Sequence, residues 1–198
     1  MQKFSLSSKN KALPEAYTAD GNAFPIYTDF RRILRILRLL GDSEVLDEDK
    51  HILFLTLFFK KEIPPDPQAA FEWFIHCGET RDGNGEKDFD FEQDAREIYA
   101  GFMQLYGIDL IEIDMHWWRF SMLLDGLFAA DTPLANKVRL RHMDDSKAKQ
   151  KNSLAIAKRN AAIGRNLSRA DTAIEQEIRN RLKAGKPIGD LIGGDAHG

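Results

Sequence analysis

The spacing of apolar positions along the chain predicts a mostly helical protein. The first helix is expected from Thr28, a residue type that caps helix starts, to Gly41, because apolar residues recur every three or four positions between them. Five further segments show similar signals: they run from about Asp47 to Lys60, Asp66 to Cys77, Phe91 to Tyr106, Asp114 to Phe128 and Thr132 to His142. The segment that ends at Phe128 is apolar on nearly all sides, which is typical of a helix in the middle of a domain. We therefore expect an all-α fold, an irregular bundle of about six helices.

A small β-hairpin is expected before the first helix, within residues 13–27. The turn signal Asp20-Gly21-Asn22 lies there between short apolar stretches, although Pro25 weakens the second strand because it has no N–H for a neighbour. After residue 142 the helical pattern becomes polar, and the last residues are rich in glycine. We therefore divide the chain into a helical body with the hairpin (1–142), a basic helical extension (143–185) and a flexible Gly-rich tail (186–198).

The net charge of −3 hides two parts of opposite sign. Residues 137–186 carry a net charge of +9, and residues 1–136 carry −10. Clustered Lys and Arg can neutralise nucleic-acid phosphates, but no Phe, Tyr or Trp follows residue 128 to stack on bases. We therefore rank nucleic-acid binding below two alternatives. The basic extension is either a solvated polar helix, or it is attracted to the acidic body of another copy and so favours assembly of several copies.

The loop around Asp82-Gly83-Asn84-Gly85 imitates part of a calcium site. It matches the middle of an EF-hand, with Asp88 at the ninth position, but Thr80 and Phe91 stand where the two end carboxylates are needed. Losing both end ligands removes most of the charge that holds the ion. We expect a solvated turn and no metal site.

No other sequence pattern predicts a catalytic site, a disulfide or a membrane segment. His116 has no Ser, Cys or carboxylate at a diagnostic spacing, so we expect a core histidine with one hydrogen-bond partner. The lone Cys77 excludes an internal disulfide and is interpreted as a small packed residue. The first residues lack the apolar segment of a signal peptide, and no run approaches the ~20 apolar residues of a membrane span. We expect a soluble intracellular protein with no catalytic residues, no cofactor and no membrane partner.

Aromatic residues are concentrated around the second and third predicted helices. The cluster consists of Phe58, Phe59, Phe71, Trp73 and Phe74. Two short helices rarely hide so many large rings, so one hypothesis is that part of the cluster forms an exposed groove or a subunit contact. The alternative, that these are ordinary core residues, stays open at this point.

Three stretches of sequence, in order, resemble the bacteriophage gene product 15 family of siphophages of Gram-positive hosts. They are Tyr27-Thr28-Asp29-Phe30-Arg31, Asp90-Phe91-Glu92-Gln93-Asp94-Ala95 before Ile98-Tyr99, and Tyr106-Gly107-Ile108-Asp109-Leu110 before His116-Trp117-Trp118-Arg119-Phe120. The resemblance covers about residues 10–142. It implies mainly structural roles for the motif residues, which are Thr28, Asp29, Phe30, Arg31, Tyr99, Asp109, His116, Trp117, Trp118 and Phe120.

The function that this resemblance implies is that of a tail assembly chaperone. Such a protein works in the cytoplasm of the bacterial host and coats the long apolar tape measure protein until tail-tube subunits displace it. It assembles with copies of itself, is absent from the finished virion and has no known catalytic residues. Two alternatives remain: a phage factor that binds nucleic acid through the basic C-terminal helices, and a structural component of the tail.

Overall fold

Six helices follow an N-terminal hairpin in the computed structural model, which describes residue 4 and residues 12–79, 88–143, 158 and 161–163. The elements are β1 (Ala16–Ala19), β2 (Asn22–Pro25), α1 (Phe30–Gly41), α2 (Asp47–Phe58), α3 (Pro67–Ile75), α4 (Ala95–Tyr106), α5 (Trp117–Ala129) and α6 (Pro133–His142). The expected fold class, a helical bundle with a small hairpin, is confirmed. The basic extension and the Gly-rich tail fall outside the described residues, except for residue 158 and residues 161–163.

The hairpin forms where the turn signal predicts it. Asp20 and Gly21 have φ angles of 51° and 79°, the left-handed conformation that a tight two-residue turn needs. Pro25 is tolerated because it occupies the last position of β2, opposite Ala16. The Pro25 carbonyl accepts a hydrogen bond from the Lys60 N–H at 3.0 Å, which joins the hairpin to the end of α2.

Side chains decide where several helices begin. Asp29 rather than Thr28 caps α1, since its carboxylate accepts the Arg31 N–H at 3.0 Å. Asp66 and Thr132 cap α3 and α6 as expected, each with proline at the first helical position.

Two predicted helix starts are too early. A turn occupies residues 91–94, because the Asp90 carboxylate accepts the N–H groups of Glu92 and Gln93 at 2.9 Å, and α4 begins only at Ala95. Likewise α5 begins at Trp117 rather than near Asp114, since the His116 imidazole is its N-cap. At Asp90 the local hydrogen bonds compete with the helix for the backbone, whereas at His116 the side chain caps the first helical turn.

Helix α5 occupies the centre of the body, as its all-round apolar character predicts. It packs against α1, α3, α4 and α6. Helix α1 contributes four buried residues to the same core. They are spaced three positions apart: Phe30, Ile33, Ile36 and Leu39. Within the described residues, no helix is long and apolar enough to cross a bilayer.

Two glycines allow α4 and α5 to approach closely. A Cβ atom at Gly101 would lie 2.9 Å from the Leu127 Cδ1, and one at Gly126 would overlap the Tyr106 hydroxyl. That hydroxyl donates a hydrogen bond to the Leu123 carbonyl at 2.8 Å, so it cannot move aside without losing this partner.

We predict that Gly126→Ala lowers the free energy of unfolding by about 1–3 kcal/mol, because the added methyl group overpacks the contact with Tyr106. Urea unfolding measures the loss. In the Tyr106→Phe background the hydroxyl is gone, so the same change should cost much less. Gly41→Ala, where no atom lies within 4 Å, is the control and should leave stability nearly unchanged. Equal losses at Gly126 and Gly41 would contradict the overpacking.

Candidate functional site

The first and third resembling stretches meet at one place, which we call the motif seam (residues 27–31 and 106–120). The chain before α1 pairs there with the chain before α5. The Phe30 N–H donates to the Met115 carbonyl at 3.0 Å, and the Trp117 N–H donates to the Thr28 carbonyl at 2.7 Å. The backbone therefore fixes two helix starts against each other.

Arg31 holds the loop that leads into α5. Its guanidinium donates to three backbone carbonyls, those of Leu110 at 2.8 Å, Ile111 at 3.1 Å and Ile113 at 2.9 Å. It also lies 3.3 Å from the Asp114 carboxylate. One planar group with several fixed donors suits this task, because the loop has no strand or helix partner for these carbonyls.

Tyr99 and Asp109 connect α4 to the same loop. The Tyr99 hydroxyl donates to the Asp109 carboxylate at 3.1 Å, and the Ile111 N–H donates to that carboxylate at 2.8 Å. The hydrogen bond to Asp109, followed by burial and by the charges of Asp109 and Glu112, raises the pKa of Tyr99. The tyrosine thus remains a donor at neutral pH.

The aromatic motif residues lie in the core. Phe30 stacks on Phe120 with ring centroids 4.5 Å apart, and Phe102 stacks on the same ring at 5.3 Å. The indole N–H groups of Trp117 and Trp118 donate to the carbonyls of Ile75 and Phe74 at 3.1 Å and 2.9 Å. These bonds tie α5 to the end of α3.

His116 has two hydrogen-bond partners, one more than the sequence suggested. Its Nδ1 accepts the Trp118 N–H at 3.0 Å, and its Nε2 lies 3.0 Å from the Pro14 carbonyl. Because a backbone N–H only donates, Nδ1 must be unprotonated, so the proton of the neutral ring is on Nε2 and points at Pro14. Burial lowers the pKa of His116, and this outweighs the opposing influence of the Pro14 carbonyl and of Glu15.

The aromatic cluster is not an exposed groove. Its five members are at most 7% exposed: Phe58, Phe59, Phe71, Trp73 and Phe74. They contact one another and α5, with Trp73 edge-on to Trp118 at 5.6 Å. The hypothesis that part of this cluster forms a groove on the chain's surface is therefore corrected, because the bundle closes over both short helices.

A buried ion cluster that no sequence pattern predicts lies between α4 and α6. Asp94 is 0% exposed, and the Arg141 guanidinium holds both of its carboxylate oxygens, at 2.7 Å and 2.8 Å. The Lys137 ammonium lies 2.8 Å from the same carboxylate and 3.2 Å from Glu97. The Asp90 N–H adds a fourth donor at 2.9 Å.

These donors decide the ionisation of Asp94. Burial alone would raise the pKa of Asp94, but the hydrogen bonds from Arg141, Lys137 and the Asp90 N–H outweigh it and hold the pKa below its ordinary value. Lys137 and Arg141 are four residues apart and share one side of α6. That spacing was visible in the sequence, but nothing in it identified the carboxylate that both residues reach.

Part of the basic segment lies on the chain's own body beside this cluster. The Arg141 Nε donates to the Ala161 carbonyl at 2.5 Å, and the Gln93 side-chain amide donates to the Ala162 carbonyl. Lys158 donates to the Met143 carbonyl at 2.8 Å. These contacts are made within one chain, and they use side chains of both charge regions.

No metal centre emerges within the part of the chain that the structure describes, since no group of three or more His, Cys, Asp or Glu there is arranged to hold an ion. The EF-hand-like residues 80–87 lie outside the described residues. Cys77 is half-buried, packs against the core and adopts a φ of 55° at the end of α3.

The four most exposed large apolar side chains are aliphatic, although Phe4 is also exposed, at 42%. The most exposed among the described residues are Ile111 (76%), Leu46 (67%), Ile52 (51%) and Ile63 (47%). Helical periodicity does not identify Ile111, Leu46 or Ile63, because each lies outside a helix.

The protein is thus a small helical body. Its motif residues hold the loops and the starts of the helices in place. The chain matches the family described as Bacteriophage Gp15 protein over residues 10–163 and belongs to it. The match extends further than the motif resemblance, which ended at residue 142. No curated protein and no solved structure matches the chain.

We predict that Asp94→Asn lowers the free energy of unfolding by about 3–5 kcal/mol, because the change leaves the buried Arg141 without its counter-charge and Lys137 with Glu97 alone. Denaturant unfolding at pH 7 measures the loss. Asp131→Asn is the matched control: this carboxylate also pairs with an arginine, Arg139 at 3.4 Å, but its side chain is 86% exposed. It should change stability by less than about 0.5 kcal/mol. Similar losses for the two variants would be incompatible with a buried ion cluster.

We also predict that acidification from pH 7 weakens the fold through His116. The folded pKa is lowered, so the unfolded state takes up the proton first, below its own value of about 6.5. The stabilisation is complete above that pH and is lost as the pH falls toward the folded pKa, where protonation of Nδ1 removes the cap. Unfolding measured between pH 7 and pH 5 should show this slope, and His116→Asn, which can cap but does not titrate, should flatten it. The exposed His51→Asn is the control, and its slope should match wild type.

Proposed function

We propose that the protein is a non-enzymatic tail assembly chaperone that coats the tape measure protein during phage tail morphogenesis. Membership of the Bacteriophage Gp15 protein family is the observation that carries this proposal. The family assigns the chain to phage biology, and the chaperone role follows from the resemblance of its motifs.

The surface of the described residues supports this role. A chaperone for a long apolar client needs many weak contacts, since repeated modest contacts give avidity without locking the client in place. Single exposed aliphatic residues such as Leu46, Ile52 and Ile63 meet that need. Most of the large aromatic side chains of the described residues, which would bind a client more tightly, pack in or against the core instead.

We also propose the partners of the protein and the cell compartment in which it acts. The tape measure protein is the client, copies of the same chain form the coat, and tail tube subunits replace the coat as the tail grows. Assembly takes place in the host cytoplasm, and the protein is absent from the finished virion. Mass spectrometry of purified particles separates this role from that of a structural tail component, which would remain in the particle.

Nucleic-acid binding through residues 137–186 is the second-ranked function. Lys137 and Arg141 hold Asp94, Arg139 pairs with Asp131, and Lys158 contacts the Met143 carbonyl. At least four of the basic side chains in this segment therefore have partners in their own chain. A steep dependence of DNA affinity on salt concentration would favour this function over the chaperone.

We predict that co-expression keeps the client soluble. The client is the product of the long helical reading frame expected immediately downstream, and it should be insoluble when expressed alone. Soluble client in the cleared lysate, co-purifying with the protein, measures the effect.

Two variants on one helix test the contact surface. Ile52→Asp removes an exposed apolar side chain and should reduce the soluble client, whereas Thr56→Asp, one turn further along α2, adds the same charge without removing a large apolar group. If the wild-type protein leaves the client insoluble and stays monomeric at high concentration, the chaperone proposal is wrong.

A further inference from the structure

An acidic loop presents the most exposed large apolar side chain of the described residues. We define this acidic loop as residues 109–114, Asp109-Leu110-Ile111-Glu112-Ile113-Asp114. Ile111 is 76% exposed, and the Asp114 side chain beside it is 90% exposed. Three carboxylates within six residues accompany this isoleucine. Such a combination suits a partner that is both apolar and basic.

The acidic loop is held in shape before any partner arrives. Arg31 binds three of its carbonyls, and Asp109 accepts hydrogen bonds from the Tyr99 hydroxyl and the Ile111 N–H. An apolar side chain on a preorganised loop loses little backbone freedom on docking, so more of its burial contributes to affinity.

Helix α4 is joined to the acidic loop and carries exposed apolar area of its own. Tyr99 contacts the loop through Asp109 and is half-buried. Met103, one helical turn further on the same side, is 42% exposed. Tyr99, Met103 and Ile111 therefore supply apolar area, and the carboxylates of Glu112 and Asp114 supply negative charge on the acidic loop.

The chain itself contains a segment of matching chemistry. Residues 174–186 place Ile174, Ile178 and Leu182 four positions apart, a spacing that would put them on one side of a helix. Four basic residues and no acidic residue occur from position 178 to position 186: Arg179, Arg181, Lys183 and Lys186. The apolar and basic features of this segment correspond to the apolar and acidic features of the surface.

We propose that the acidic loop, with Tyr99 and Met103, docks residues 174–186 of a second copy of the chain. The choice of a second copy rests on the proposed function, because a coat along an extended client requires many copies. Acidic body and basic segment differ in sequence, so the contact is head-to-tail and can be repeated from copy to copy without closing. The opposite net charges of residues 1–136 and 137–186 favour this association.

Sedimentation of the full chain over a range of concentrations tests the docking. The wild type should associate, and more weakly at high salt, because exposed charges are screened. Ile111→Asp should weaken association by about tenfold, since it removes one buried aliphatic side chain from the contact. Leu46→Asp is the matched control: Leu46 is 67% exposed, and its variant should associate like wild type. Thermal melting of each variant verifies that the body is folded.

A charge swap tests the partner. Glu112→Lys with Asp114→Lys should abolish association, and so should Arg179→Glu with Arg181→Glu. A chain that carries all four changes, or a mixture of the two double variants, should associate again. In the mixture, neither double variant associates with copies of itself, so any association must be a contact between two different molecules. A wild type that is monomeric at all concentrations, an Ile111→Asp variant that associates normally, or a swap that restores nothing would overturn the proposal.

Client solubility is measured separately on the same proteins. If the wild type forms oligomers but the client stays insoluble, the chaperone function is contradicted and the docking surface is not. If the client is soluble but the wild type is monomeric, only the docking surface is contradicted.

Discussion

The body of this protein depends on one buried ion cluster, the pairing of Asp94 with Arg141 and Lys137. Removing a carboxylate from water costs several kcal/mol, and only close, well-directed donors offset that cost. The donors are supplied by α6, the carboxylate stands at the start of α4, and α5 packs against both helices. The cluster therefore specifies how the helices meet: α6 must lie where two side chains one turn apart reach the same acid.

In the motif seam, too, polar groups removed from water are paired with donors, but here the acceptors are neutral backbone carbonyls. Arg31 satisfies loop carbonyls that have no partner in a regular element, and the indole groups of Trp117 and Trp118 do so at the end of α3. Family motif residues thus hold irregular backbone in place, and aromatic rings fill the space between the helices. What the body offers to partners is a rigid surface with separate aliphatic side chains, which suits repeated weak contact.

Charged side chains of this protein occur in two environments: some are bound within the molecule, and others are exposed to solvent. Some basic residues of the C-terminal half are already used inside the molecule, around Asp94 and at the carbonyls of residues 143 and 161. The acidic loop, in contrast, keeps its Asp114 carboxylate in solvent beside Ile111. Asp114 also lies 3.3 Å from Arg31, but its side chain is exposed whereas Asp94 is buried. This difference between buried and exposed charge is why we place association at the acidic loop rather than at the ion cluster.

Local sequence determined the elements of the fold. Apolar spacing identified six helices and the central position of α5, and the Asp20-Gly21 turn identified the hairpin, because periodicity and turn conformations are properties of neighbouring residues. Tertiary structure decided the rest. Residues 58, 59, 71, 73 and 74 are core rather than groove, α4 and α5 begin late, and Asp94 finds its cations 43 and 47 positions away. The burial of a ring or an acid depends on which helix faces meet, and no local pattern contains that information.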